Sequence, residues 1–230
     1  MSRITWDNIG ERLYETGVDN VVLFPIDTAT NKYGKGVGWN GVSAVNEKPS
    51  GAEASAVYAN NKQYLNMTSA EKYDATLEAY MSPDEFDECD GSVEVAPGVS
   101  ITQQPRKMFG FVYRTLIGND VMGDNYGYGI HFVYGCKAAP SERNHSTVNE
   151  DPEASTLSWE ISTTPVEVAG YKPTAHLKVD STKMNAEKLK ALEDIIYGKN
   201  PSTEGGDDGT DARLPLPDEI VALVGQAAGQ

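Results

Sequence analysis

Glycine and proline punctuate this chain at short intervals, 22 and 12 of them over 230 positions, with β-branched and aromatic residues between. That spacing is the mark of many short strands. The alternation inside the intervals agrees. Leu157, Trp159 and Ile161 alternate with Ser158, Glu160 and Ser162. Ala175, Leu177 and Val179 alternate with His176, Lys178 and Asp180, and Ala75, Leu77 and Ala79 with Asp74, Thr76 and Glu78. A period of two sends each apolar set to one face of a sheet. Residues 108–117 and 128–136 are apolar on both parities, as in strands covered on both faces. Asn119-Asp120 and Gly123-Asp124-Asn125 predict a hairpin loop between them.

One helix is legible, at about 185–197. Asn185 caps it, Leu189, Leu192 and Ile196 share a side, and Gly198 closes it. A shorter turn is expected from Pro83 to Cys89, with Ser82 as cap and Asp84-Glu85 at the positive end of the dipole. Residues 4–16 fit helix or strand, and Val18 to Ile26 a strand. Residues 27–50 carry too many breakers for a packed element and are expected to form a long polar loop. Residues 199–213 read as a flexible linker, followed by Leu214-Pro215-Leu216-Pro217 and an apolar run from Ile220 to Val224. The expected division is a β domain over 1–198 and an acidic, Gly/Pro-rich tail over 199–230. The tail is too short to be a domain, so its apolar side chains must find a partner in the same subunit or a neighbour.

A chain of this length buries roughly 70% of its unfolded surface and folds without cofactor or crosslink. Thirty-four acids against 19 bases give a net charge of −15 and a pI near 4.5. Such a charge repels phosphate backbones and anionic membranes. The longest apolar runs, such as Val21 to Phe24, are strand-sized rather than membrane-spanning. The start, Met1 to Asp7, lacks the apolar stretch of a secretory signal. Cys89 and Cys136, far apart and without C-x-x-C spacing, are expected as free buried thiols, with a single disulfide as the alternative.

The motifs are weak. Gly36, Gly38 and Gly41 match the dinucleotide spacing G-x-G-x-x-G, but no strand precedes them and no good helix follows, so a glycine loop is the expectation. From Tyr73 to Pro105 there are eight acids (Asp74, Glu78, Asp84, Glu85, Asp87, Glu88, Asp90, Glu94) and no Lys or Arg. They do not fall at EF-hand positions, and their separation as a glycosidase pair is not legible. A solvated negative face is the expected role. His131, His145 and His176 lack zinc-ligand spacing. Ser69-Ala70-Glu71-Lys72 lacks the companions of an S-x-x-K enzyme. The sequons at Asn66 and Asn144 are expected unmodified. No nucleophile, base and oxyanion donor come together, so no catalytic, cofactor-binding or metal residues are assigned and no enzyme is expected. Twelve tyrosines, among them Tyr58, Tyr64, Tyr73, Tyr80, Tyr126, Tyr128 and Tyr134, suit sugar binding, protein interfaces or a sheet margin.

The order of segments carries more than any motif. Gly10-Glu11-Arg12-Leu13-Tyr14-Glu15-Thr16-Gly17-Val18 leads to a strand ending Leu23-Phe24-Pro25. Then come Trp39-Asn40-Gly41, Pro49-Ser50-Gly51-Ala52-Glu53, Tyr58-Ala59-Asn60-Asn61 and Pro83 to Gly91. Phe111-Val112-Tyr113-Arg114-Thr115, Tyr126-Gly127-Tyr128, Ser158-Trp159-Glu160, Ser162 to Val166 and Asp180-Ser181-Thr182 follow. Over residues 10–224 this resembles the major tail protein (tail tube protein) of long, non-contractile-tailed bacteriophages and related prophages. Asn60-Asn61 departs from the Ala-Asp-Asn expected after the tyrosine, which weakens any role for an acid there.

The resemblance implies a β-sandwich or half-barrel with one flanking helix, six copies closing into a ring, and rings stacked as a hollow tube that conducts the genome. Head-to-tail interfaces close the ring and axial stacking gives an open polymer. The partners it implies are other copies of the chain, a tape-measure protein, tail-initiator and tail-terminator proteins, and DNA that passes without specific binding. The implied location is the virion tail, after synthesis in the host cytoplasm. The 27–50 loop resembles a segment that orders on stacking, and the acidic block or acidic strand faces are expected to line the bore. Two rivals remain at this level. One is a glycan-binding β-sandwich of a phage or cell surface that stacks sugars on tyrosines and Trp39 or Trp159, and the other a small acidic hydrolase using the 84–90 carboxylates.

Overall fold

The period-two segments become the strands of one strongly curled sheet. The computed structural model describes residues 3–145, 147, 154–201 and 209–225. In chain order the strands are β1 (Leu13–Asp27), β2 (Lys32–Tyr33), β3 (Val37–Gly38), β4 (Val42–Ser50), β5 (Ala54–Ala59), β6 (Lys62–Thr68) and β7 (Lys72–Ala79). After the helical turn α1 (Asp87–Asp90) come β8 (Val93–Ala96), β9 (Val99–Ile101), β10 (Phe109–Asn119), β11 (Gly123–Ala138), β12 (Leu157–Thr163) and β13 (His176–Asp180). Two helices close the chain, α2 (Ala186–Tyr197) and α3 (Pro217–Gly225).

The sheet runs β2-β1-β10-β11-β12-β7-β4, with β13 also on β11 and β3 on β1. All its pairings are antiparallel. The mainly-β expectation with a flanking helix holds, and the sheet curls without closing. Strand parity sorts the apolar side chains into two cores. Val21, Leu23, Phe109, Phe111, Val133, Leu77, Trp159 and Ile161 fill the concave side with Trp39 and Phe86. Their rings pack edge-on, Trp39 to Trp159 at 5.5 Å and Phe86 to Trp159 at 5.1 Å. The opposite parity, Val22, Phe24, Val112, Ile130, Phe132 and Tyr134, meets Leu192 and Ile196 of α2, Leu214 just before α3 and Ile220 within it. The doubly apolar strands β10 and β11 are thus covered on both faces, as their sequence requires.

The helix at 185–197 forms as expected, with Asn185 Oδ1 accepting from the Glu187 and Lys188 N–H groups. The 83–89 turn also forms, but Pro83 occupies the cap position and Ser82 donates no capping contact. The apolar tail is received by its own subunit. Arg213 N–H donates to Ile195 O at 2.9 Å and Tyr134 Oη donates to Pro215 O at 3.0 Å. The middle of the expected linker, residues 202–208, lies outside the described residues.

The 27–50 segment departs from expectation. Its last third is β4, a nine-residue strand paired to β7 from Val42↔Ala79 to Ser50↔Lys72. Pro49 argued against a strand, yet β4 is an edge strand, where a missing donor faces outward at no cost. Gly36 and Gly38, in turn, sit on the flank of β1. A Cβ on Gly36 would meet Phe24 at 2.6 Å and Ala212 at 2.9 Å. The glycine is there for close packing, which explains the G-x-G-x-x-G match without a cofactor.

Candidate functional site

β4 and β7 continue past the body as a second, smaller ribbon. Ser50 pairs with Lys72, the chain turns at Gly51 in left-handed conformation (φ 87°), and β5 then pairs with β6. Ser69 Oγ accepts from Glu53 N–H at the base, which is the structural use of the S-x-x-K serine. Every residue of β5 and β6 is exposed. Tyr58 (69%), Tyr64 (72%) and Met67 (60%) are among its large apolar side chains in water. A lone two-stranded ribbon is marginally stable at best.

A second apolar surface lies at the far end of the β10–β11 hairpin. Gly10 N–H donates to Asp120 Oδ1 at 3.0 Å, and Asn119 Nδ2 to Gly10 O at 3.2 Å. These bonds hold the N-terminal arm against the hairpin turn. Trp6 and Ile9 on the arm and Val121 and Met122 on the turn are all exposed.

The outer face of β12, β7 and β4 is polar and has no helix over it. Register places Asp74 beside Lys48 and Ser162, Thr76 beside Asn46 and Glu160, and Glu78 beside Ser158. Lys48 and Glu160 pair across β7 at 3.7 Å. The rest of the acidic block is less free than its sequence implies. Asp90 is held by Arg106 at 3.1 Å and Arg143 at 2.5 Å, and Glu88 pairs with Lys107. Arg106 and Lys107 come from just beyond the block, where a window ending at Pro105 misses them, and Arg143 from the loop after β11.

The concave side changes character along its length. Past Phe111 the inward residues are Tyr113 and Thr115 on β10, His131 on β11, His176 and Lys178 on β13, Glu47 on β4 and Glu15 on β1. They line an open cleft of about 340 Å³. His131 stacks on Tyr113 (centroids 4.5 Å apart) and His176 on Tyr73 (4.6 Å). His131 Nδ1 lies 3.1 Å from His176 Nε2, and Tyr113 Oη donates to Glu47 at 2.6 Å. Lys178 Nζ donates to both oxygens of Glu15 at 2.7 and 2.5 Å. Burial raises the Glu15 pKa, but hydrogen bonds from Lys178 and Thr115 outweigh it and hold the carboxyl below its usual range. The period-two pattern placed His176 and Lys178 on a polar face correctly. That face is the inside of the cleft, and no spacing rule foretells two histidines meeting across neighbouring strands.

Burial first, then the positive neighbours His176 and Lys178, depress the His131 pKa from about 6.5 to about 4, and burial lowers that of His176 as well. A depressed histidine means that the unfolded chain binds more protons than the native one between these values. Stability therefore falls as pH drops from 6.5 toward 4, by up to about 1.4 kcal/mol per pH unit for each fully neutral ring. Denaturant melts in chelator-containing buffer are expected to show a shallower decline over this window in His131→Gln than in the parent. An unchanged slope would mean that His131 titrates freely.

The other sequence candidates are structural. Trp39 and Trp159 are buried in the concave core, and Trp39 Nε1 donates to Met81 O at 2.8 Å, so neither can stack on a sugar. Cys89 and Cys136 are buried free thiols, and burial pushes Cys89 up to about 12. His145 lies in a loop away from the cleft, and Ser146 of its sequon is outside the described residues. Among the described residues no helix is long and apolar enough to cross a membrane.

The fold is that of a mainly-β chain with a helix-backed open sheet and a projecting, exposed ribbon. No family model and no curated protein matches the chain. Among solved structures, a chain of the anti-feeding prophage baseplate, seen in a six-fold symmetrised cryo-EM structure, aligns over 79% of this chain and 100% of its own. The identity is 7% and the TM-score 0.36, too distant a likeness to bear on function.

Proposed function

We propose that this chain is a structural virion protein that assembles into hexameric rings stacked as a hollow phage tail tube. The observation that carries the reading is the β5–β6 ribbon, apolar, wholly exposed and unsupported by its own subunit. A ribbon of this kind gains its stability by lying against a neighbour. The N-terminal arm and the β10–β11 turn supply a second apolar surface at another place on the subunit. Two different surfaces that meet each other make a heterologous contact, the type that closes rings and extends filaments. The segment that orders against the next subunit is then 51–71 rather than the 27–50 loop, most of which is already paired.

The outer face of β12, β7 and β4 suits the bore. Asp74, Glu78 and Glu160 stand on it among short polar side chains, Lys48 is paired with Glu160, and Lys72 lies exposed at its end. On a wall of this kind acids outnumber bases, so few cations are left for DNA phosphates to bind by displacing counterions. Sugar binding loses its two tryptophan platforms, both buried in the core, and the 84–90 carboxylates are partly tied up in ion pairs.

Electron microscopy of the purified chain at low and high salt tests the proposal. Salt screens repulsion among subunits of charge −15, so hollow six-fold tubes are expected to increase with ionic strength. A strict monomer at all salts that also fails to extend isolated tube ends would overturn the reading. A bore lined by Lys or Arg would sink the assignment of the acidic face.

A further inference from the structure

We infer that Glu47, His131 and His176 form a binding site for one divalent transition-metal ion of the zinc class. One donor atom from each residue lies within 4.8 Å of the others. His131 Nδ1 is 3.1 Å from His176 Nε2 and 3.5 Å from Glu47 Oε1. Zinc–ligand bonds of about 2.0–2.1 Å in tetrahedral geometry put neighbouring donors roughly 3.3 Å apart. Two of the three separations therefore already match a tetrahedral edge, the third is within 4.8 Å, and all three residues line the open cleft. Two imidazoles, one carboxylate and an open position suit zinc, cobalt or nickel better than calcium or magnesium, which take all-oxygen sets.

The surroundings orient the donors as metal ligands are oriented. The second nitrogen of His131, Nε2, is 3.0 Å from Thr115 Oγ1 and 3.3 Å from Glu15 Oε1. Because Thr115 Oγ1 donates to Glu15, Nε2 is the proton donor in this contact, which leaves the lone pair on Nδ1, the nitrogen facing His176. Tyr113 holds the Glu47 carboxylate, and both imidazole planes are clamped by stacking on tyrosines. The charge also fits. Glu15 and Lys178 cancel, which leaves Glu47 as the net anion facing the site.

The rival account is a hydrogen bond between two neutral histidines with no ion. The two differ in consequence. An ion here would clip edge strand β4 to β11 and β13 across the mouth of the open sheet, whereas a histidine pair leaves β4 held by β7 and by the Tyr113–Glu47 bond.

The test is titration of the full chain, stripped with chelator, with Zn²⁺ by calorimetry and with Co²⁺ by visible absorption. One equivalent of Zn²⁺ is expected, with intense tetrahedral cobalt bands that Zn²⁺ abolishes. Loss of a partner that merely orients a ligand costs about 10–100-fold in affinity. Loss of a ligand in Glu47→Gln or His176→Gln is therefore expected to weaken binding at least about tenfold. Glu47 is on an edge strand and half exposed, so Glu47→Gln keeps the test valid should a histidine variant misfold. The inference is overturned if the parent binds neither ion. It is equally overturned if both variants bind as the parent does, which would assign the ion to the acidic surface.

Discussion

Replacing Tyr58, Tyr64 and Met67 with serine together is expected to abolish tube formation while leaving the subunit folded. All three side chains stand in water in the isolated chain, so their loss removes no intramolecular packing. Exposed substitutions of this kind change stability by no more than about 0.5 kcal/mol each. In an assembled tube the same side chains would be covered by a neighbour. Fully burying a large apolar side chain contributes about 1.5–3 kcal/mol, so a loss of only about 2 kcal/mol for the three together, less than half the low-end sum, already raises the critical concentration roughly thirtyfold. Every subunit makes the contact, which turns a modest pairwise loss into failure of the polymer. Sedimentation and electron microscopy read assembly, and a thermal melt reads the fold. Tubes in parental amounts would remove the ribbon from the interface, and with it the main support for the tail-tube reading. A melt lowered as far as a core variant would show that the ribbon packs on its own subunit instead.

What the sequence disclosed and what it hid follow from the range of the interactions. β12, β7 and β13 were legible because their pattern is local, and so was α2, whose cap and closing glycine lie within its own turns. β4 was hidden, since Pro49 and nearby glycines read as loop until its position at the sheet edge is known. The ribbon at 51–71 was hidden for another reason. Its alternation is weak because both faces meet water, and period-two reasoning needs one buried face to detect. The cleft is the clearest case. Glu47, His131 and His176 are distant in sequence and meet only because β11 pairs with β13 while β4 folds back over the concave side.

Gly135 is the residue on which that arrangement depends, and Gly135→Ala is expected to cost at least about 3 kcal/mol. Between Phe109↔Cys136 and Phe111↔Val133, β11 carries one residue more than β10. This bulge places Gly135 at φ 60°. The extra residue flips strand parity, so that Val133 before it and Cys136 and Ala138 after it all face the concave core. It also marks where β11 changes neighbour, from β13 (pairs up to Val133↔His176) to β12 (pairs from Cys136↔Thr163). The backbone at this point is fully used: Gly135 N–H donates to Tyr33 Oη at 2.9 Å, and its carbonyl accepts from Thr164 N–H at 2.9 Å. A Cβ there would stand 2.2 Å from Thr164 O, a backbone atom that cannot swing away without breaking the junction. Left-handed backbone alone costs a non-glycine residue about 1–2 kcal/mol, and the clash adds to that. For a chain of this size each kcal/mol moves the melting temperature by about 2–4 °C, so a fall of roughly 6–12 °C is expected. Gly98→Ala separates the two contributions. Gly98 has φ 76° in the β8–β9 turn, and a Cβ there meets nothing within 4 Å, so that variant carries the backbone cost without the clash. Should Gly135→Ala melt no lower than Gly98→Ala, the bulge would not be the point that fixes the branching of the sheet.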